Sequence, residues 1–230
     1  MKTSKRIVAL LLCLALALTM LTACSSSDSG SDTETTAAAT TAAADETTDG
    51  TSDETGSSES STGLTELSAG SFDGTSVVVT SIGQSADVDI ADTLCSKAGL
   101  SVYTKSDIEG SELNDTYTTL IIAIGGSSKG LGAAGIDEDE ELARAEELLT
   151  TAQELGIQIL ALHTGGSARR GTLSDKFINA ALPYADGAII VSEGDTDNLM
   201  ADLLAADGIP ATYIEQAADA VEILQSIFGL

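Results

Sequence analysis

The fold is decided by the stretch TTLIIAIGGSSKG, residues 118–130. Its apolar part, Thr118 to Ile124, is short and closed by two glycines, which predicts a strand buried on both faces. A charged amphipathic segment from about Asp137 to Leu155 predicts a helix, and the apolar run Ile157 to His163 predicts the next strand. Strand, glycine-rich joint, helix and strand together form the repeating unit of a parallel sheet.

The same alternation continues outward on both sides of this stretch. Further strands are predicted at Val77–Ile82, Leu100–Thr104, Gly187–Val191 and Ile209–Ile214, and further helices at Ile90–Ala98, Ser174–Leu182, Thr196–Ala206 and Ala217–Phe228. We therefore predict an α/β domain over residues 71–230, with a single doubly wound, mostly parallel sheet. Its arrangement is expected to be Rossmann-like or flavodoxin-like, with helices on both faces.

The amino terminus predicts export and lipid attachment. Three basic residues within the first six precede an apolar run, Ile7 to Leu21, which is too short to span a bilayer and is typical of a signal peptide. The run ends in Leu21-Thr22-Ala23-Cys24, which resembles the bacterial lipobox. We predict a signal peptide over residues 1–23 and a diacylglyceryl group on Cys24, which would hold the chain on the extracytoplasmic face of the cell membrane as a palmitate-bearing lipoprotein. An ordinary secreted protein is the alternative.

Residues 24–70 predict a disordered tether. From Ser25 to Gly70 the chain is almost entirely Ser, Thr, Ala, Gly, Asp and Glu, with ten acidic residues and no basic one. So little apolar surface cannot offset the entropy that ordering would cost. This composition is typical of a flexible spacer between a membrane and a domain.

Charge and composition exclude several classes of partner. The formal net charge is −26, so nucleic acid and anionic surfaces are repelled. The chain has no Trp and few other aromatic residues, which disfavours a carbohydrate receptor. Of the three cysteines, Cys13 leaves with the signal peptide and Cys24 takes the lipid, so Cys95 is predicted to be a core residue without a disulfide partner.

Four polar, glycine-rich loops follow the predicted strands. They cover residues 81–85, 125–132, 163–171 and 192–195. Such loops meet at the carboxyl edge of an α/β sheet, where ligands bind. Three of the few basic residues, Lys129, Arg169 and Arg170, lie in these loops, which favours a small anionic ligand such as a carboxylate or phosphate. The predicted ligand-binding residues are Gln84, Ser85, Ser128, Lys129, Gly130, His163, Arg169 and Arg170. Alternatively, these cations pair with nearby acids and only fix the loops.

Two short motifs suggest other chemistry. The G-x-S-x-G pattern at Gly126–Gly130 would make Ser128 a hydrolase nucleophile, with His163 as its base. Against this, a glycine-rich segment is expected after Ser128 where a nucleophile elbow enters its helix, and the histidine comes on the next strand. The G-x-G-x-x-G pattern at Gly130–Gly135 begins too far from its strand for a dinucleotide site, so no cofactor is predicted.

Acidic clusters are interpreted as structural, and no metal site is predicted. The run Asp137–Glu141 places acids in a first helical turn, where they complement the helix dipole. The acids Asp87, Asp89 and Asp92 lack the glycine and closing glutamate of a calcium loop.

Three groups of residues carry a resemblance to a family. They are Gly83-Gln84-Ser85, the run Gly126–Asp137, and the segments His163–Gly166, Ala168–Gly171 and Ser174–Phe177. Over about residues 75–228 the chain resembles an uncharacterised domain of unknown function found in exported bacterial proteins. The resemblance implies an extracytoplasmic α/β domain and no particular activity. The sequence departs from the family at Ser167, where the family has an acidic residue.

Three functions remain open from the sequence. The first is a surface-tethered binding protein for a small anion that serves a transporter or a sensor. The second is an enzyme that uses Ser128 or His163. The third is a non-catalytic module that binds another envelope protein.

Overall fold

The computed structural model describes residues 64–230. Six parallel strands form one sheet in the order β2-β1-β3-β4-β5-β6. The strands are β1 Val77–Ile82, β2 Val102–Thr104, β3 Thr119–Ile124, β4 Gln158–His163, β5 Gly187–Val191 and β6 Ala211–Ile214. The helices are α1 Asp87–Ala98, α2 Ser128–Ala134, α3 Glu138–Leu155, α4 Thr172–Ala181, α5 Leu199–Asp207 and α6 Ala220–Phe228. The doubly wound α/β class predicted from the sequence is confirmed.

The core consists of two apolar layers, one on each face of the sheet. Along β3, Leu120 and Ile122 point into the layer formed with α3, α4 and α5, while Ile121 and Ala123 point into the layer formed with α1 and α6. All six residues of β3 are buried. Because successive side chains of a strand point to opposite faces, an unbroken aliphatic run is what a strand covered on both faces requires.

The strand order places a crevice between β1 and β3. The chain moves from β1 outward to β2 and then returns to the other side of β1 to form β3, so the direction of winding reverses there. The order β2-β1-β3-β4-β5 is that of flavodoxin-like sheets, here extended by β6. Loops at the carboxyl ends of β1 and β3 therefore diverge to opposite faces, which is where such sheets bind ligands.

Helix α2 differs from the sequence prediction, which gave a glycine-rich loop at this place. The side chain of Ser127 accepts a hydrogen bond from the Gly130 amide at 3.0 Å and caps the helix. A Cβ on Gly130 would lie 1.8 Å from the Gln84 carbonyl oxygen, so this glycine allows α2 to approach the β1 loop closely. The prediction of a loop was wrong because Gly130 allows close packing rather than flexibility.

Residues 64–73, here called the strap, cross the amino ends of the strands. The amide of Ala211 donates to the Thr65 carbonyl at 2.8 Å, and the amide of Asp73 donates to Gln158 Oε1 at 2.8 Å. Between them, Leu67 and Phe72 pack against Gly187 at the start of β5. The packed region thus begins at Leu64, before the boundary at residue 71 that composition predicts.

The predicted signal peptide, the lipobox with Cys24 and most of the tether lie outside the described residues. Within residues 64–230, no helix has the length and apolar character needed to cross a membrane. Cys95 is a buried core residue, as predicted, and burial raises the pKa of its thiol to about 12. A thiol with so high a pKa is a poor nucleophile.

Candidate functional site

An open groove of about 550 Å³ lies at the carboxyl edge, where the loops after β1, β2 and β3 meet. Of the predicted ligand-binding residues, it brings together Gln84, Ser85, Lys129 and Gly130. Its walls also include Ser106, Asp107, Ser127 and Asp89. One cation, Lys129, and two carboxylates thus line this groove, so it is not the simple positive pocket that the basic residues of the loops suggest.

The loop after β1 has a strained backbone. Gln84 has a φ of 55°, in the left-handed region that favours glycine, and its neighbour Gly83 has a φ of 100°. The loop is pinned to the β3 loop, since the Ser127 amide donates to the Gly83 carbonyl at 2.9 Å. A non-glycine residue in this conformation persists only where its surroundings enforce it.

A buried acid and arginine enforce that conformation from below. The Glu141 side chain is fully buried, and its Oε1 accepts from the Gly83 amide at 2.8 Å while its Oε2 accepts from Gln84 Nε2 at 3.1 Å. Arg144 donates to both oxygens of Glu141 at 2.7 Å and also to the carbonyls of Ser81 and Ile108 at 2.6 Å. We call Glu141 and Arg144 the clamp. Every oxygen of this carboxylate is therefore satisfied.

Glu141 corrects the interpretation of the acidic run. Asp137 does cap α3 and forms a capping box with Glu140, as acids in a first turn should. Glu141 instead turns inward and pairs with Arg144, which the sequence analysis did not single out. The i,i+3 spacing of the two charges was the available signal, but that spacing is also common on solvent-exposed helix faces.

Ser85 and Asp87 continue from the clamped loop into α1. Ser85 Oγ donates to Asp87 Oδ2 at 3.0 Å, and the Asp87 amide donates back to Ser85 Oγ at 3.2 Å. Asp87 is only 1% exposed, although it had been dismissed as part of an incomplete calcium loop. Gly125 provides the space for it, because a Cβ there would lie 2.9 Å from Asp87 Oδ2.

Four buried polar atoms near the ends of β1 and β4 have no hydrogen-bond partner. They are Asp87 Oδ1, His163 Nδ1, His163 Nε2 and Thr164 Oγ1. We call Asp87, His163 and Thr164 the open cluster. Buried polar groups without partners are uncommon, and each loses its interaction with water for no return. All four atoms lie at the carboxyl edge of the sheet, which makes the open cluster a candidate ligand site.

His163 is held as a neutral ring in this cluster. It is 2% exposed, and the backbone of Gly194 packs against it so closely that a Cβ there would lie 2.8 Å from Nδ1. Burial lowers the pKa of His163, and the Arg170 charge acts in the same direction, whereas the Asp87 and Asp195 charges and the backbone of Arg169 act in the opposite direction. A neutral imidazole offers one donor and one acceptor to a ligand.

The two neighbouring arginines have different environments. Arg170 is neutralised: its Nε donates to Asp175 at 2.7 Å, and its Nη1 and Nη2 donate to the two Asp197 oxygens at 2.9 and 3.0 Å. Arg169 is 45% exposed and approaches Asp87 Oδ1 at 3.3 Å without a well-aligned hydrogen bond. The alternative, that these cations pair with nearby acids and fix the loops, therefore describes Arg170 fully and Arg169 only through this one contact.

The predicted nucleophile and base do not form a pair. Ser128 is exposed at the start of α2, and neither ring nitrogen of His163 has a hydrogen-bond partner. The helix does begin directly at Ser128, so the sequence argument that a glycine-rich segment intervenes was wrong. Gly130 lies inside α2 and Gly135 ends it, so the second glycine pattern forms a helix rather than a phosphate loop.

One family model, described as a domain of unknown function (DUF6305), matches residues 74–228. The chain belongs to this family. The match confirms the resemblance found in the sequence and covers the whole sheet. Both the clamp and the open cluster therefore lie within the DUF6305 domain.

Other proteins add little to this assignment. No curated protein matches the chain. A crystal structure of a GDSL-like lipase from Bacteroides thetaiotaomicron is 12% identical, with a TM-score of 0.31, and the match covers 61% of this chain and 68% of the lipase. An archaeal fructose 1,6-bisphosphate aldolase is 11% identical, with a TM-score of 0.23, and covers 68% and 95%. At these scores neither likeness assigns a function to the DUF6305 domain.

Metal ligation finds no support in the described part of the DUF6305 domain. Across residues 64–230, no three or more His, Cys, Asp or Glu side chains are grouped so as to hold a metal ion. Thr164 and Asp87, both missed by the sequence analysis, instead belong to a cluster of hydrogen-bonding groups. Their burial depends on which loops cover the edge of the sheet, which periodicity does not reveal.

Proposed function

We propose that this protein is a lipid-anchored, extracytoplasmic binding domain for a small anionic ligand. The ligand occupies the open cluster at the carboxyl edge of the sheet, next to Arg169. A transporter or another envelope protein receives the bound ligand.

The unpartnered atoms of the open cluster carry this proposal. Asp87 and His163 are almost fully buried, yet each has polar atoms without a hydrogen bond. A protein gains no stability from such groups, since apolar residues of the same shape would cost less. Binding sites accept this cost because the ligand supplies the missing partners.

Two cations near the cluster support an anionic ligand. The guanidinium of Arg169 donates no hydrogen bond within residues 64–230, and its side chain is nearly half exposed. Lys129 is exposed on the wall of the neighbouring groove and forms no ion pair with another described residue. An arginine with free N–H groups is well suited to bind a carboxylate or phosphate through two parallel hydrogen bonds.

The strap is compatible with a ligand site that lies away from the tether. Leu64, the first described residue, belongs to the strap at the amino ends of the strands, whereas the open cluster lies at their carboxyl ends.

Binding is tested by thermal unfolding of the purified full chain with lactate, acetate or inorganic phosphate at millimolar concentration. A ligand at 100 times its dissociation constant stabilises a protein by about 2.7 kcal/mol, so a midpoint increase of several degrees is expected. Arg169→Gln should abolish the increase. Lys97→Gln removes the same charge at the far end of α1 and should leave it unchanged. No stabilisation by any of these anions or by L-alanine, which also carries a carboxylate, would overturn the proposal.

The anchor is tested separately with Cys24→Ser. The unsubstituted chain should incorporate radiolabelled palmitate and pellet with membranes when expressed in a bacterium. The variant should do neither. Membrane association that survives the substitution would contradict the lipid anchor without affecting the binding proposal.

A further inference from the structure

Asp87 presents a negative charge that the protein itself leaves incompletely neutralised. Its Oδ2 accepts a hydrogen bond from Ser85, but its Oδ1 is buried and has no hydrogen-bond partner. The clamp shows how this protein completes a buried carboxylate, because every oxygen of Glu141 receives two donors. The Oδ1 of Asp87 therefore lacks the donors that the Glu141 oxygens have, and the cation beside it among the described residues is Arg169, at 3.3 Å.

Arg169 is poorly placed to be that donor. Its single approach, from Nη2 to Asp87 Oδ1, is 3.3 Å long, and the side chain is 45% exposed. A permanent arginine–carboxylate pair is usually shorter and bidentate. Arg170, the next residue in the chain, forms such a pair with Asp197. A ligand cation can thus displace Arg169 from Asp87 at small cost.

The groups around Asp87 also accept a ligand of mixed charge. His163 and Thr164 each offer both donor and acceptor capacity. The neighbouring groove combines the cation Lys129 with the carboxylates Asp89 and Asp107. These acids would repel a ligand that carries only negative charge. A ligand with an ammonium and a carboxylate can pair with groups of both signs.

We infer that the ligand is a free α-amino acid, with its ammonium on Asp87 Oδ1 and its carboxylate on the guanidinium of Arg169. This inference rests on the proposed function, because the carboxylate of the amino acid is the anionic group that Arg169 binds, and it adds an ammonium to the ligand of the same site. Binding exchanges one long ion pair for two shorter ones, and His163 and Thr164 donate to or accept from the remaining polar atoms of the ligand.

The test is calorimetric titration of the full chain with matched trios of small molecules. L-Alanine is compared with L-lactate, which lacks the ammonium, and with ethylamine, which lacks the carboxylate. A second trio is L-leucine, L-2-hydroxyisocaproate and isopentylamine. Within at least one trio the amino acid should bind at least about tenfold more tightly than both analogues, because each analogue loses a charge-assisted hydrogen bond.

The outcomes separate this inference from the proposed function. Equal affinity for hydroxy acid and amino acid would overturn the amino acid while leaving anion binding intact. Equal affinity for amine and amino acid would overturn both, since the carboxylate would then contribute nothing. If neither trio binds and no anion stabilises the chain, both proposals fail.

Variants locate the two contacts. In the Asp87→Asn variant, the affinity for the amino acid should fall to that for the hydroxy acid. The affinity for the hydroxy acid should change little. Asp207→Asn removes an exposed carboxylate at the end of α5 and should leave the ratio unchanged. Circular dichroism establishes whether Asp87→Asn folds, and the trios on the unsubstituted chain decide the question if it does not. An unaltered ratio in a folded Asp87→Asn variant would contradict the assignment of the ammonium.

Discussion

Two buried polar clusters lie beside each other in this domain and differ in completeness. In the clamp, Glu141 and Arg144 satisfy each other and four neighbouring backbone and side-chain groups, including the Gly83 amide. In the open cluster, Asp87, His163 and Thr164 leave four polar atoms without partners. A completed cluster stabilises the native backbone, whereas an incomplete one costs stability until a ligand completes it. We therefore assign the clamp to the stability of the fold and propose the open cluster as the ligand site.

Breaking the clamp should have the largest effect. Glu141→Gln leaves the Arg144 charge buried without its counter-ion, so the free energy of unfolding should fall by about 3–5 kcal/mol. Urea denaturation followed by circular dichroism measures this. Glu146→Gln, at an exposed position of the same helix, should change stability by less than about 0.5 kcal/mol. Similar losses for both variants would contradict a structural role for the clamp.

The close approach of α2 to the clamped loop gives the next largest effect. Gly130→Ala places a Cβ against the Gln84 carbonyl and should cost about 1–3 kcal/mol through displacement of the loop. Gly132→Ala lies in the same helix with no atom within 4 Å of its Cβ and should stabilise by about 0.4–1 kcal/mol. Opposite signs for two substitutions only two residues apart are the decisive result, measured by chemical denaturation.

Two buried threonines differ in whether their hydroxyl has a hydrogen-bond partner, and Thr164 is the one in the open cluster. Thr164→Val removes a hydroxyl without a partner, so the ligand-free protein should become more stable by about 1 kcal/mol. Thr119→Val removes a hydroxyl that donates to the Asp73 carbonyl at 2.7 Å and should destabilise by about 1 kcal/mol. Ligand affinity should fall only in the first variant. A loss of stability in both would show that Thr164 has a partner after all.

The smallest effect concerns pH. Burial lowers the pKa of His163 in the folded protein, while in the unfolded chain the ring titrates near 6.5. As the pH falls below about 6.5, the unfolded chain therefore gains a proton that the folded protein resists, and the free energy of unfolding decreases. His163→Gln should reduce this decrease between about pH 7.5 and 5.5, as urea denaturation at both values will show. An equal decrease in the free energy of unfolding between these two pH values for both proteins would contradict a buried, neutral ring.

The sheet was largely predictable from the sequence because its signals are local. Val77–Ile82 and Gly187–Val191 were predicted with the bounds that the structure has, since buried aliphatic runs end there at polar or glycine residues. Helix α2 was missed because it contains two glycines, which are poor helix formers, and one of them, Gly130, is present for close packing. Propensity alone could not reveal that reason.

The candidate site was predictable only in part. Strand-end loops predicted a shared edge of the sheet, and Gln84, Ser85 and Lys129 do line one groove there. The sequence could not distinguish Arg169 from Arg170, although one is nearly half exposed and the other is enclosed by carboxylates. That difference depends on where α4 and the loop after β5 place their acids, which is a property of tertiary structure.

The most direct test of the open cluster uses the only histidine of the chain, His163. Its ring nitrogens give one set of signals in a ¹H–¹⁵N NMR correlation spectrum of the full chain. Titration with L-alanine, L-leucine and their hydroxy-acid analogues should shift these signals in a saturable way, because a bound ligand supplies their missing hydrogen-bond partner. Ring signals that do not change at millimolar concentrations of all these compounds would contradict the claim that the open cluster is a binding site.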